Sequence, residues 1–211
     1  MANLSCPAKG DRFIRRCLSL VRLGLSCAVI MLLIVAPIRL VAHSAELDNV
    51  QIPDTLQADG RPLQLNGYGL RTYSILAIHI YVAALYLEHL SSSPEEIIRS
   101  PETKLLIVRF EHSVSAEAAR KAWHDGLLNN CEAPCHLDPV DVEKFLADVP
   151  AMHVGDTYSL LFEQHGATVM VSGQLIGTIS SPQFAEAMLA TFLGPNPASP
   201  RLKHELLRGH G

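Results

Sequence analysis

One arginine in this chain stands where an arginine needs a reason. Arg71 follows Gly67-Tyr68-Gly69 and sits in the stretch LNGYGLRTYSILAIHIYVAALYLE, residues 65–88, which is mostly apolar, β-branched or aromatic and therefore strand-like. A charge drawn out of water without a partner is heavily penalised, so Arg71 has to meet an anion. A carboxylate matches it best: the planar guanidinium fork donates two parallel hydrogen bonds, and a phenol can add a third from the side. The anion is either a protein acid, Glu88 or Glu111, or part of a ligand. Tyr73 and Tyr68 flank the glycines closely enough to supply the phenol.

Other chemistry-bearing residues are fewer. Cys131 and Cys135, in NNCEAPCHL, are separated by three residues. In an oxidising compartment such a pair forms a disulfide that pins a helix end. The alternatives are a redox pair or, with His136 and His112, a metal site, although neither a thioredoxin-like spacer nor a four-ligand zinc pattern is present. His79, His112, His124, His153 and His165 are scattered without helical metal spacing and are read as surface or core residues. Ser113 and Ser115 lack the glycine frame of a nucleophile elbow, which argues against a serine hydrolase. Asp156, after Gly155, is read as a turn residue, and Trp123 as core or cleft wall. No cofactor motif occurs, so no cofactor is expected.

The N-terminus looks like an address. Lys9, Arg12, Arg15, Arg16 and Arg22 form a basic region, Leu23–Val35 an apolar core, and Ala42-His43-Ser44 a small-residue cleavage site. Residues 1–44 are thus expected to be a signal peptide, leaving a domain of residues 45–211 in the periplasm or secreted. An uncleaved anchor is the competing reading, but an apolar run closed by Pro37 and Arg39 is shorter than the roughly 20 residues that span a bilayer. Residues 45–211 keep 11 Lys and Arg against 20 Asp and Glu, a net charge of −9. That balance excludes nucleic acid and anionic lipid as expected partners. No long apolar segment in this part is expected to span a membrane.

These residues need a scaffold, and its elements can be read in order. Val50–Ile52 and Leu63–Leu65 are expected as strands of a hairpin with a long loop around Ala58-Asp59-Gly60. The glycines at 67 and 69 are expected to let the backbone turn or bulge. Ile78–Leu87 reads as a strand buried on both faces over part of its length, since only His79 can carry charge. Ser93-Pro94-Glu95-Glu96 starts a helix ending near Arg99, Lys104–Phe110 is a strand, Ser115 opens a helix to Asn129-Asn130, and Asp138-Pro139 opens another. Thr157–Phe162, Thr168–Val171 and Leu175–Ile179 form a three-stranded meander. Ser181-Pro182 starts a helix that stops at Gly194-Pro195, and Leu202–Leu207 is a last amphipathic turn. This order makes an α+β domain.

The combination of Gly67-Tyr68-Gly69-Leu70-Arg71, Tyr81 to Leu87, Gly155-Asp156, Gly173 to Ile179 and Phe184 to Gly194 resembles the chalcone isomerase superfamily, in its bacterial chalcone-isomerase-like branch, over roughly residues 50–207. The resemblance implies an open-faced β-sandwich: a large antiparallel sheet with helices layered on one face and a ligand cleft between them. In the enzymes of that superfamily an arginine after the Gly-x-Gly sequence works with a threonine, a tyrosine and an asparagine. In the fatty-acid-binding members the arginine and a tyrosine on the next strand hold a carboxylate. The resemblance places Arg71 at the arginine and Tyr81 at the strand tyrosine, and it puts Ala119 and Gly126 where the enzymes carry tyrosine and asparagine.

The expected function is therefore binding of a hydrophobic small molecule, a carboxylate such as a fatty acid, with Arg71 as anchor, Tyr81 as second donor and Tyr73 in reserve. Ile78, Ile80, Leu85, Trp123, Leu127 and the closing helix are expected to line the apolar cleft. Two alternatives stay open. One is an isomerase or lyase of chalcone isomerase type acting on a phenolic or enone compound, with Arg71 stabilising developing negative charge. The other is a non-catalytic envelope accessory protein.

Overall fold

The computed structural model describes residues 44–73, 76–131 and 134–208. The expected signal segment lies outside the described residues except for Ser44. Three short strands come first, β1 (Ser44–Leu47), β2 (Val50–Pro53) and β3 (Thr55–Ala58), followed by the long β4 (Arg61–Tyr73) and β5 (Ile78–Leu87). Helix α1 (Pro94–Arg99), β6 (Lys104–Phe110), α2 (Ala116–Asn130) and α3 (Pro139–Asp148) form the middle. The meander β7 (Thr157–Glu163), β8 (Gly166–Val171) and β9 (Gln174–Ile179) precedes α4 (Pro182–Leu193) and α5 (Pro200–Leu206).

Seven strands, β3 to β9, form one antiparallel sheet in sequence order. Strand alternation divides its side chains between two cores. Tyr81, Ala83, Leu85 and Leu87 join Leu106, Val108, Leu160 and Val169 beneath the helices, against Leu127, Phe145, Met188, Leu189 and Leu202. Val82, Ala84 and Tyr86 point the other way, with Leu63, Leu65 and Leu105. Strand β5 is thus buried on both faces from Tyr81 to Leu87, as its unbroken apolar run predicts. The second face is covered by β1 and β2, whose Ala45, Leu47, Val50 and Ile52 pack on it.

Each helix begins where a side chain can satisfy its free amides. Ser93, Ser115, Asp138, Ser181 and Ser199 accept from Glu96, Ala118, Val140, Phe184 and Leu202. Each such cap contributes about 1 kcal/mol. Among the described residues four of the five helices carry proline in the first turn, where its missing amide costs nothing.

Two expectations are corrected. Val50–Pro53 does not pair with β4; it folds back on β1 through Asp48 (φ 53°) and Asn49 (φ 62°). The hairpin at Asp59 (φ 47°) and Gly60 (φ 71°) instead joins β3 to β4 through two residues, not a long loop. Asp-Asn and Asp-Gly tolerate the positive φ at both positions that such tight turns demand. The second correction concerns Gly67-Tyr68-Gly69, which makes no turn but runs straight through β4. The bulge falls one residue earlier, at Asn66, where the register with β5 shifts. The glycines serve close approach: a Cβ on Gly67 would run into the backbone carbonyls of Glu205 and Leu206, and one on Gly69 into the Glu205 side chain. Helix α5 therefore lies directly on this part of the strand. Asn66, fully buried, fastens it by donating to the Leu206 carbonyl at 2.9 Å while accepting from the Ser91 amide at 2.9 Å.

Candidate functional site

Gly67, Gly69 and Arg71 are spaced by two along β4 and pair with Leu85, Ala83 and Tyr81, so all three occupy the helix-facing side of the sheet. The two glycines lie under α5. Arg71 is the next position in that row, and it opens into a cavity of about 620 Å³. Its guanidinium Nη1 donates to the Tyr81 hydroxyl at 3.3 Å, and Cζ stands 5.6 Å from the centre of the Tyr81 ring. The pairing register puts the two residues directly opposite each other.

Among the described residues no carboxylate forms an ion pair with Arg71. Glu88 accepts from the Thr103 amide at 2.7 Å, which chiefly holds its carboxyl below the usual value, and pairs with Arg61 at 3.1 Å. Glu205 reaches β4 one residue before Arg71 but accepts from the Leu70 amide at 3.2 Å and pairs with Arg201 at 2.9 Å. The structural ion pair with Glu88 that the sequence allows is therefore not formed.

Tyr81 is buried, and burial raises its phenol above the usual value of 10.0 despite the opposing charge and hydrogen bond of Arg71. It is a neutral phenol whose oxygen accepts from Arg71 and whose O–H remains to donate. A bulge opposite Arg71 and Thr72 skips Ile80 in the register, and both Ile80 and Tyr81 line the cavity. Tyr73 also lines it but is 64% exposed, which places it at the mouth.

The opposite wall comes from α2 and the α4–α5 junction. Ala118, Ala119, Ala122, Trp123 and Gly126 recur at helical spacing along the lining face of α2, and Thr191 and Phe192 come from α4. Trp123 packs against Phe145, Tyr158 and Phe192 with ring centres 5.3, 6.0 and 5.9 Å away. Both Ala119 and Gly126 face the cavity, so neither position offers a side-chain donor. A Cβ on Gly126 would come 2.9 Å from Thr191 Cγ2, and α2 could not carry a larger residue there without displacing Thr191.

Of the expected lining residues, Ile80, Trp123 and the closing helix α4 are in place. Leu85 and Leu127 are not: both are sealed in the core at 0% exposure, and Ile78 lies outside the cavity, partly exposed near the β4–β5 tip. The structure adds Phe110, Val114, Met152 and Tyr158, which sequence reasoning did not single out. Tyr158 was within reach of it, because Tyr158, Leu160 and Phe162 alternate toward the helices.

Cys131 and Cys135 form a disulfide just beyond α2. With the sulfurs bonded to each other, the thiolates that a metal site would need are absent. Asp156 holds its turn, accepting from the His153 amide at 2.8 Å and the Ser172 hydroxyl at 3.1 Å, which lower its pKa.

Comparisons with known proteins agree on the fold. A crystal structure of a fatty-acid binding protein from Arabidopsis thaliana superposes with a TM-score of 0.64 at 15% identity, covering 78% of this chain and 96% of that one. No curated protein matches the sequence significantly. A family profile described as chalcone isomerase-like matches residues 44–208, nearly the whole described chain. The chain belongs to the chalcone isomerase-like family.

Proposed function

We propose that this protein binds a hydrophobic carboxylate of fatty-acid type, its carboxylate held between Arg71 and Tyr81 and its tail in the cavity. The observation that carries this is a half-buried guanidinium that has a phenol for a neighbour and no carboxylate of its own, at the edge of an apolar cavity. A carboxylate would take two hydrogen bonds from the fork, and Tyr81 would donate the third. Apolar walls suit a tail whose burial contributes about 0.8 kcal/mol per methylene. The fatty-acid binding protein of similar fold supports the same class of ligand. Ala119 and Gly126, which bring no donor to the cavity, favour binding over catalysis.

The protein is further proposed to be exported. The basic and apolar N-terminal pattern supports this, as does the disulfide, which persists in an oxidising compartment. Among the described residues no helix is long and apolar enough to cross a membrane.

Native mass spectrometry of protein recovered from the periplasm tests both parts at once. The expected result is a chain shortened by its leader and carrying a mass of fatty-acid size that Arg71→Ala loses. Absence of the protein from the periplasmic fraction would refute export, a full-length chain there would refute the cleaved leader, and a wild type that stays empty when offered fatty acids would refute the ligand.

A further inference from the structure

The cavity contains a second polar group that the carboxylate anchor does not use. Tyr158 lies on β7 opposite Val108, on the helix-facing side of the sheet, and lines the cavity while only 4% exposed. Its hydroxyl has no hydrogen-bond partner among the described residues. The neighbouring Trp123 indole offsets part of the burial that raises the phenol, without reaching hydrogen-bonding geometry. Tyr158 is consequently a neutral phenol whose O–H has no acceptor among the described residues. A buried polar atom in that condition is unfavourable, and phenylalanine would fill the same space without the cost.

Its place relative to Arg71 follows from the register. Arg71 on β4 pairs with Tyr81 on β5, and Tyr81 with Phe110 on β6, whereas Tyr158 on β7 pairs with Val108, so Tyr158 is three strands from Arg71 and two residues along. Strand spacing and rise make that roughly 16 Å between the Arg71 and Tyr158 Cα positions. A chain anchored at Arg71 would reach Tyr158 with atoms well along its tail, where Ile80, Val108 and Trp123 otherwise offer only apolar contact or a donor. Tyr158 is thus a shielded polar group on the sheet side of the cavity, while the polar lining residues Lys121, Asp125, Asn129, Thr191 and Asn196 belong to α2, α4 and the segment after α4.

We propose that Tyr158 is a second recognition point and that the preferred ligand is an oxygenated hydrophobic acid, bearing a hydroxyl or keto group on the middle of its chain. This rests on the proposed binding function for the ligand's orientation, but the contact itself does not require the carboxylate. A hydroxyl there both donates and accepts, and a keto oxygen accepts from the Tyr158 O–H. An unsubstituted tail leaves the phenol unpaired, and sites that hydrogen-bond a ligand oxygen discriminate against analogues lacking it.

The test is a matched titration followed by Trp123, the chain's one tryptophan and a ring neighbour of Tyr158. Octadecanoate is compared with octadecanoates carrying one hydroxyl or keto group at successive middle carbons, and each is also used as its methyl ester. Wild type and Tyr158→Phe are titrated with the whole set. The expected result is about tenfold tighter binding of at least one oxygenated isomer, equivalent to about 1.4 kcal/mol, with the preference lost in Tyr158→Phe and the affinity for octadecanoate retained. The same preference is expected among the esters. Equal affinities across the series, or a preference that survives Tyr158→Phe, would overturn the second recognition point. Acids binding no better than their esters would instead refute the carboxylate anchor, while the Tyr158-dependent preference among the esters would still decide the second contact. A Tyr158→Phe variant that weakens every ligand equally leaves the preference standing and would also overturn the second contact, because that marks a packing defect.

Discussion

Replacing Arg71 by methionine separates the anchor from the cavity. Methionine keeps most of the arginine stem and removes the charge together with the donors that reach Tyr81. Hydrogen bonds to a charged group contribute roughly 1.5–3 kcal/mol each when well enclosed, and losing one partner of a buried charged pair costs about 2–5 kcal/mol. Arg71 is only half-buried, so the lower part of that range applies. A loss of about 2–3 kcal/mol corresponds to roughly 30- to 150-fold weaker binding of a fatty acid. The tail is untouched, and at about 0.8 kcal/mol per methylene it would take three or four further methylenes to restore the lost affinity. Titration by Trp123 fluorescence reads both effects, with an alcohol of the same chain length as control. The alcohol is expected to change less than about threefold, since it carries no charge for Arg71 to meet. An acid that binds Arg71→Met nearly as well as wild type, or an alcohol that suffers as much as the acid, would show that Arg71 is not the anchor.

Two further outcomes follow from the same geometry. Affinity for a fatty acid should be full above the free acid's pKa, roughly 4 to 5, and fall as the pH drops through the lower value that Arg71 imposes on the bound carboxylate. On the alkaline side, burial raises the Tyr81 phenol, so its O–H persists and affinity should hold through pH 10; a titration that falls well before pH 10 would contradict a neutral buried phenol. Gly67→Ala should lower the melting temperature by about 6–12 °C, because a Cβ meets the backbone of α5 and about 3 kcal/mol of docking is lost at some 2–4 °C per kcal/mol. Calorimetry within about 2 °C of wild type would mean that the strand glycine is not there for the helix.

How much of this was legible in the sequence depends on whether the cause is local. The helix starts are local, and Ser93, Ser115, Asp138 and Ser181 announce them. So is the run from Tyr81 to Leu87, which has no polar side until Glu88 and must be buried twice over. The glycines at 67 and 69 look like turn residues because their true neighbour, α5, lies some 135 residues further on. The wall of the cavity was only partly legible for a related reason. Leu85 and Trp123 are both apolar residues on core-facing sides, and only the spacing between sheet and helices decides that one is sealed in and the other borders empty space. The bulge at Ile80 is likewise set by pairing across strands and leaves no mark in composition.

The arrangement also explains why the charge of Arg71, the proposed anchor, meets no carboxylate among the described residues. Along one side of β4 the order is glycine, glycine, arginine at every second residue. The first two positions must be empty for α5 to rest on the strand, and Asn66 then fixes the end of that helix. A helix resting there brings Glu205 toward the arginine, which would ordinarily close an ion pair and remove the charge from service. Instead the Leu70 amide and Arg201 engage both oxygens of Glu205, and Glu88 is held on the far end of the strand by Arg61 and Thr103. The phenol of Tyr81 can orient the guanidinium but cannot neutralise it, since burial keeps the phenol protonated. Arg71 is thereby positioned by a neutral partner, without a carboxylate among the described residues, at the lining of a mostly apolar cavity. A ligand with one anionic end and an apolar body meets both demands, whereas an inorganic anion would answer the charge and leave the cavity unfilled.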